Sequence, residues 1–201
     1  MFKNIIIITA MTSLFHSALA NATIEENFFS DTLPDKKFNE LKAAIEIPAV
    51  NTDYLKIQKH YNKYDGPLSY DFLSYIDSVI DAEGMRGTVS LAFMVALMEV
   101  ESQFDHHRES RTGAYGLCQI MPLTAKSINA MFGRTLDRKD AYDNVRLSIL
   151  YFKDLYKRYK DTEAVVRFYN GGTKWRNKPV TKRYYNAIMK KTVAIKEALK
   201  S

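Results

Sequence analysis

One cysteine, one tryptophan, five prolines and eight glycines are all that 201 residues contain of these types. Cys118 alone cannot form an intramolecular disulfide or furnish a Cys-rich zinc module. So little Gly and Pro leaves too few turn residues for a β-sandwich or a propeller. There is no internal repeat and no low-complexity stretch. Past the first twenty residues no run is apolar for the roughly 20 residues that cross a bilayer. What is present is 46% hydrophobic and 26% charged residues with a formal net charge of +6. That suits one domain with its own core, or one domain plus a small addition, and excludes a disordered polyampholyte. The expectation is a compact, mainly α, basic protein.

Residues 1–20 have the form of a signal peptide. Lys3 gives a positive start, Ile5 to Ile8 open an apolar run reaching Phe15, and Ala18-Leu19-Ala20 is the small-x-small pattern of a cleavage site. The mature chain is expected to begin at Asn21, exported to the periplasm or secreted, without a transmembrane segment. The remainder is uneven in charge. Residues 21–85 hold 6 Lys against 12 Asp and Glu, whereas 86–201 hold 22 Lys and Arg against 11 acids. An acidic N-terminal piece therefore precedes a basic body suited to an anionic partner. Charge by itself does not separate anionic glycan, acidic lipid and nucleic acid; export argues against nucleic acid.

Helical spacing recurs along the chain. Candidate helices cover Asp35 to Ile45, Tyr54 to Tyr64 more weakly, and Asp71 to Ile80 with Phe72, Leu73, Ile76 and Ile80 on one face. Thr88 or Ser90 caps a helix running to about Ser102. Pro122 opens one around Thr124 to Met131. Asp143 to Tyr159 follows, then Glu163 to Phe168 behind Asp161 or Thr162 and ahead of Asn170-Gly171-Gly172, and finally Thr181 to Leu199. No stretch alternates as a strand does. The division expected is 1–20 signal peptide, 21–70 acidic helical extension and 71–201 main helical domain.

The helix after Ser90 is apolar nearly all round (Leu91, Phe93, Met94, Val95, Leu97, Met98, Val100), so it is buried, and it ends on two acids. Glu101 continues the Met94, Leu97, Met98 stripe, and Glu99 continues the Ala92, Val95, Ala96 side. A carboxyl held against apolar surface has a raised pKa and can serve as a general acid. One such acid protonates the leaving oxygen in glycoside cleavage. Equally, Arg108 or Arg111 can salt-bridge either acid, and periodicity does not choose between them. His60, His106 and His107 lack carboxylate or Cys neighbours at ligand spacing, so neither a metal nor a cofactor is expected. Cys118 reads as a small buried hydrophobe; Trp175 suits a sugar platform or the core.

Glu101-Ser102-Gln103-Phe104 is followed by Gly113-Ala114-Tyr115-Gly116-Leu117-Cys118-Gln119-Ile120-Met121-Pro122-Leu123-Thr124-Ala125. This resembles the soluble lytic transglycosylases (SLT) of bacterial cell walls, in the lysozyme-like superfamily. Their pattern is Glu-Ser, then Gly-Ala-x-Gly-Leu-x-Gln leading into Met-Pro-x-Thr-Ala. Asn144-Val145 with Tyr151-Phe152, Tyr169-Asn170, and Thr181 with Tyr184 are similar to the family's later motifs. The likeness covers about residues 72–185. Departures are Phe168 where the family usually has Ala, Cys118 for a bulkier residue and Ser148 for Gly.

The resemblance implies a lysozyme-like helical catalytic domain that cleaves the β-1,4 bond between N-acetylmuramic acid and N-acetylglucosamine in peptidoglycan. Glu101 would be the single general acid and then base, leaving a 1,6-anhydro end. Ser102 would lie beside the carboxyl. Gly113, Ala114 and Gly116 would let the backbone approach the sugar, and Gln119, Tyr169, Asn170 and Tyr184 would bind or orient it. The partner is the glycan strand, with a secretion, conjugation or pilus apparatus as a further expectation. A muramidase that uses water shares the same fold and Glu, and a non-catalytic wall-binding or assembly module is the alternative outside enzymes.

Overall fold

The computed structural model describes residues 51–61 and 68–200. The expected signal peptide and the helix at Asp35 to Ile45 lie outside these residues. The described helices are α1 (Thr52–His60), α2 (Tyr70–Ala82), α3 (Leu91–Ser102), α4 (Pro122–Phe132), α5 (Ala141–Tyr159), α6 (Thr162–Gly171), a short 3-10 helix (Gly172–Asn177) and α7 (Pro179–Lys200). None of them is long and apolar enough to cross a membrane.

Local chemistry sets the boundaries. Ser69, Ser90, Asp140 and Asp161 each accept a backbone N–H of the first turn and so open α2, α3, α5 and α6. Pro122 sits at the start of α4, where its missing N–H costs nothing. Helix α4 stops at Gly133, which has φ +61°.

Helix α3 is the centre of the fold. Every residue from Ala92 to Glu99 is buried, as expected of a helix apolar all round. Helix α7 lies against it and also packs on α1 and α6, while α5 packs on α2, α4 and α6. Leu73, Ile76, Ile80, Val95, Leu97, Leu147, Leu150, Phe152 and Ile188 are excluded from solvent and join these helices in one core. The segment between α3 and α4 carries only isolated antiparallel bridges, Glu109 with Tyr115 and Tyr115 with Ile120.

Candidate active site

Helix α3 comes part-way to the surface at its two ends, and Glu101 lies in its C-terminal turn. Tyr184 Oη, from α7, donates to Glu101 Oε1. Burial pushes the Glu101 carboxyl up to about 7, against the lowering effects of the Tyr184 hydrogen bond and the positive charge of Arg108. Near neutral pH the group is therefore divided between acid and carboxylate. Burial also drives the Tyr184 hydroxyl well above its ordinary range, so it stays a donor.

Glu99 is in a different setting. Only 9% exposed, it accepts from Tyr61 Oη at 2.7 Å on Oε2 and pairs with Lys191 Nζ at 2.7 Å on Oε1. Both oxygens hold the framework together. The two acids that periodicity left equivalent are thus distinguished by their partners. Of Arg108 and Arg111, which the sequence left open, neither makes an ion pair with Glu99 or Glu101 among the described residues, and Arg108 acts on Glu101 through its charge alone.

The chain leaves α3 through Gln103 and Phe104, with φ of +57° and +66°. Left-handed backbone at two successive non-glycine residues costs about 1–3 kcal/mol for each and persists only where the surroundings impose it. Phe104 is buried, with its ring edge-on to Tyr61 at 5.0 Å. Beyond it, Tyr115 and Ile120 exchange backbone hydrogen bonds of 3.2 and 2.9 Å and close a tight hairpin.

Asn144 fixes that hairpin from beneath. Wholly buried, it donates through Nδ2 to Tyr115 O at 2.8 Å and Arg138 O at 2.7 Å, and its Oδ1 accepts from Cys118 N at 2.8 Å. The sequence places Asn144 in a motif without a role. The signal was available: a polar residue on the apolar side of α5, beside Val145, must have buried partners.

The expected substrate-binding residues fall into two groups. Tyr184 and Tyr169 converge with Glu101. Tyr169 Oη donates to Cys118 O at 2.7 Å and lies 3.2 Å from Ser148 Oγ, while its ring stacks on Phe152 at 4.7 Å. Glu101 contributes to holding the Tyr169 hydroxyl neutral, behind the larger effect of burial. Ser102 is elsewhere: 1% exposed, it donates to Met98 O at 3.0 Å within α3, so its hydroxyl supports the helix and not the carboxyl.

Gly116, at φ +80°, is close to protein rather than open to a ligand, because a Cβ there would stand 2.5 Å from Asn144 Nδ2. Gly113 has open space on that side. Ala114 is buried, and its N–H donates to Ser110 Oγ at 2.9 Å. Gln119, itself left-handed at φ +52°, donates through Nε2 to Arg108 O and Gly116 O, both at 3.0 Å, so its amide nitrogen ties the loop. Asn170 is exposed within the last turn of α6, and Gly172 ends that helix.

A groove of about 450 Å³ between α4, α5 and α6 is lined by Leu123, Ile128, Met131, Tyr151, Arg158 and Phe168, among others. Leu123 and Met131 are 75% and 57% exposed. Tyr151 links it to the side of Glu101, with its ring 5.3 Å from that of Tyr169. Trp175 belongs to the core, with Arg167 and Arg176 near its ring at 4.7 and 4.5 Å. The Cys118 thiol, fully buried, is pushed far up and stays protonated. No cluster of three or more His, Cys, Asp or Glu is placed to hold a metal among the described residues.

The architecture is the mainly α, lysozyme-like one, with Glu99 and Glu101 near the end of its central helix. Residues 78–191 match the family described as the transglycosylase SLT domain, and the chain belongs to that family. Among solved structures it is similar to the lytic transglycosylase Slt of Pseudomonas aeruginosa, determined as an inactive mutant. The two share 20% identity at a TM-score of 0.56 over 63% of this chain. The 70 kDa soluble lytic transglycosylase SLT70 of Escherichia coli matches at 21% identity over 72% of this chain, with a TM-score of 0.46. The chain spans about a quarter of either, 24% in each case.

Proposed function

We propose that this protein is a peptidoglycan lytic transglycosylase in which Glu101 acts alone as acid and base. The observation that carries the reading is a carboxyl pushed up to about 7 by burial and hydrogen-bonded by Tyr184 in the C-terminal turn of α3. Membership of the SLT family supports the substrate class. The protonated Glu101 gives its proton to the bridging oxygen as the bond from muramic acid C1 breaks, and N-acetylglucosamine leaves with a new 4-hydroxyl. The resulting carboxylate takes the proton of the muramic acid O6 as that oxygen bonds to C1. A 1,6-anhydro ring forms, Glu101 is again protonated, and no water is consumed.

A raised-pKa acid suits the first step, and the Tyr184 donor suits the carboxylate formed by it. An internal nucleophile also agrees with the surroundings of Glu101, where among the described residues no second carboxylate charge bears on it. Asp105, the next acid along the chain, is exposed and accepts from His107 N at 2.9 Å, while the charge bearing on Glu101 is that of Arg108. The groove beside Tyr151 gives apolar and aromatic surface for the pyranose faces of a strand. Export to the periplasm and service to an envelope-spanning machine rest on the sequence of residues 1–20 and on the substrate, and belong to the same proposal.

Glu101→Gln decides the assignment. On purified wall its release of anhydro-muropeptides is expected to fall at least about 100-fold, the ordinary worth of a positioned acid. Clearing equal to the wild type would exonerate Glu101, and no clearing by either protein would make the fold a wall-binding module. Wild-type products heavier by one water, with reducing ends, would make the enzyme a muramidase.

A further inference from the structure

Tyr61 lies outside the stretch that matches the SLT family and yet contacts the chain on both sides of Glu101. Its hydroxyl donates to Glu99 Oε2 at 2.7 Å, two residues before the acid. Its ring meets Phe104 edge-on at 5.0 Å and 72°, three residues after it. Between these contacts α3 ends, and the backbone turns left-handed at Gln103 and Phe104. A conformation that unfavourable for a phenylalanine holds only if the side chain is trapped, and the Tyr61 ring is one wall of the trap.

The clamp has a firm base. Helix α1 is tied to α2 by Tyr54 Oη donating to Asp77 Oδ2 at 2.9 Å, and to α7 by Lys56 Nζ donating to Leu199 O at 2.7 Å. Gln58 Nε2 donates to Leu68 O at 3.0 Å. The other oxygen of Glu99 pairs with Lys191 of α7, the helix that also supplies Tyr184. Glu101 and its donor Tyr184 are therefore registered against each other through Tyr61, Glu99 and Lys191.

We propose that Tyr61 is a positioning residue, which fixes the last turn of α3 so that the Glu101 carboxyl stays buried and facing Tyr184, without itself touching substrate. The proposal rests on the reading of Glu101 as the acid. Tyr61→Phe keeps the ring against Phe104 and removes the hydroxyl; Tyr61→Leu removes both contacts. In Tyr61→Phe, kcat on wall fragments is expected to fall about 3- to 10-fold with KM within twofold, and in Tyr61→Leu by about 30-fold or more. A more loosely held Glu101 meets more water, so its titration, followed by the carbon-13 signal of its carboxyl, moves down from the wild-type midpoint. The groups facing it, Tyr184 of α7, Tyr169 of α6, and Arg108 and Cys118 of the loop, are unchanged in both variants.

Removing the hydroxyl in a Glu99→Gln background is expected to cost less than in the wild type, because both changes cut the same link. Circular dichroism at the assay temperature establishes that each variant is folded; if Tyr61→Leu is not, Tyr61→Phe and the double variant decide. A folded Tyr61→Phe with wild-type kcat and an unmoved Glu101 titration overturns the proposal. Full activity in Glu101→Gln would instead overturn the catalytic reading. The titration of Glu101 in Tyr61→Phe would still report on positioning in that case, so the two failures are distinct.

Discussion

At the scale of single residues, Glu101 and Glu99 are separated by two positions and by the whole of their electrostatics. Glu99 has a lysine and a tyrosine on its two oxygens, whereas Glu101 has one tyrosine and apolar surroundings that push it to about 7. An acid that must start protonated loses activity as pH rises through its own pKa, so kcat/KM is expected to fall on the alkaline side with a midpoint near 7. Tyr184→Phe removes a hydrogen bond that favours the charged form. The midpoint should then rise while the maximal rate drops about 10- to 100-fold, the equivalent of one hydrogen bond to a charged group. A pH–rate profile of both proteins checks this, and a midpoint unmoved by the variant would separate the hydroxyl from the carboxyl.

The same shift makes a statement about stability. A carboxyl whose folded pKa lies above its unfolded value binds more protons when folded. Its contribution is complete below the unfolded pKa and is lost as pH rises through the folded one. Glu101 therefore destabilises the fold at pH 8 in a way that glutamine does not. Glu101→Gln is expected to melt higher than the wild type at pH 8, by about 1–3 kcal/mol of stability, and to match it near pH 4. Thermal unfolding at the two pH values tests this; an equal difference at both would assign it to packing.

At the scale of elements, the helices were legible where a start signal precedes a run of apolar residues at helical spacing, on one face or, in α3, nearly all round. Ser90, Asp161 and Pro122 open helices where the spacing of Leu, Ile and Phe predicts them. The loop between α3 and α4 was not legible, since its shape depends on contacts from α5 and α6 far along the chain. Gly116 looks in sequence like room for a sugar, but its missing Cβ makes room for Asn144. Ser102, adjacent to the acid in sequence, turns the other way on the helix and bonds to Met98 O. The convergence of Tyr169 and Tyr184 with Glu101 came from the family likeness, because no local pattern reports a contact across 83 residues.

The loop's dependence on Asn144 is measurable. Asn144→Ala leaves Tyr115 O, Arg138 O and Cys118 N without their partner, and is expected to destabilise by about 2–4 kcal/mol, with clearing of wall reduced further than stability alone explains. Chemical denaturation alongside an activity assay at a temperature where the variant is folded separates the two effects. Gly116→Ala, which places a methyl group 2.5 Å from Asn144 Nδ2, should give the same phenotype from the opposite side.

At the scale of the whole molecule, charge is distributed by region: the stretch 86–201 carries 22 basic against 11 acidic residues. Several of these cations are held by folding. Arg146, Arg134 and Lys153 surround the buried Glu83, and Arg167 and Lys182 share Glu163. Lys174, Arg176, Lys178 and Arg183 are exposed around the start of α7. A wall strand with carboxylates on its lactyl groups and peptides meets such a surface through long-range attraction, which salt screens within about 10 Å at 0.1 M. Retention on purified wall is therefore expected to weaken steadily as salt rises from about 0.05 to 0.5 M, while kcat on a short, soluble muropeptide changes less. Replacing Lys174 and Lys178 by glutamate should flatten that dependence and leave the titration of Glu101 in place. If retention is flat with salt in the unaltered protein, the strand is held by ring stacking and hydrogen bonds in the groove, and the basic surface serves another anionic partner.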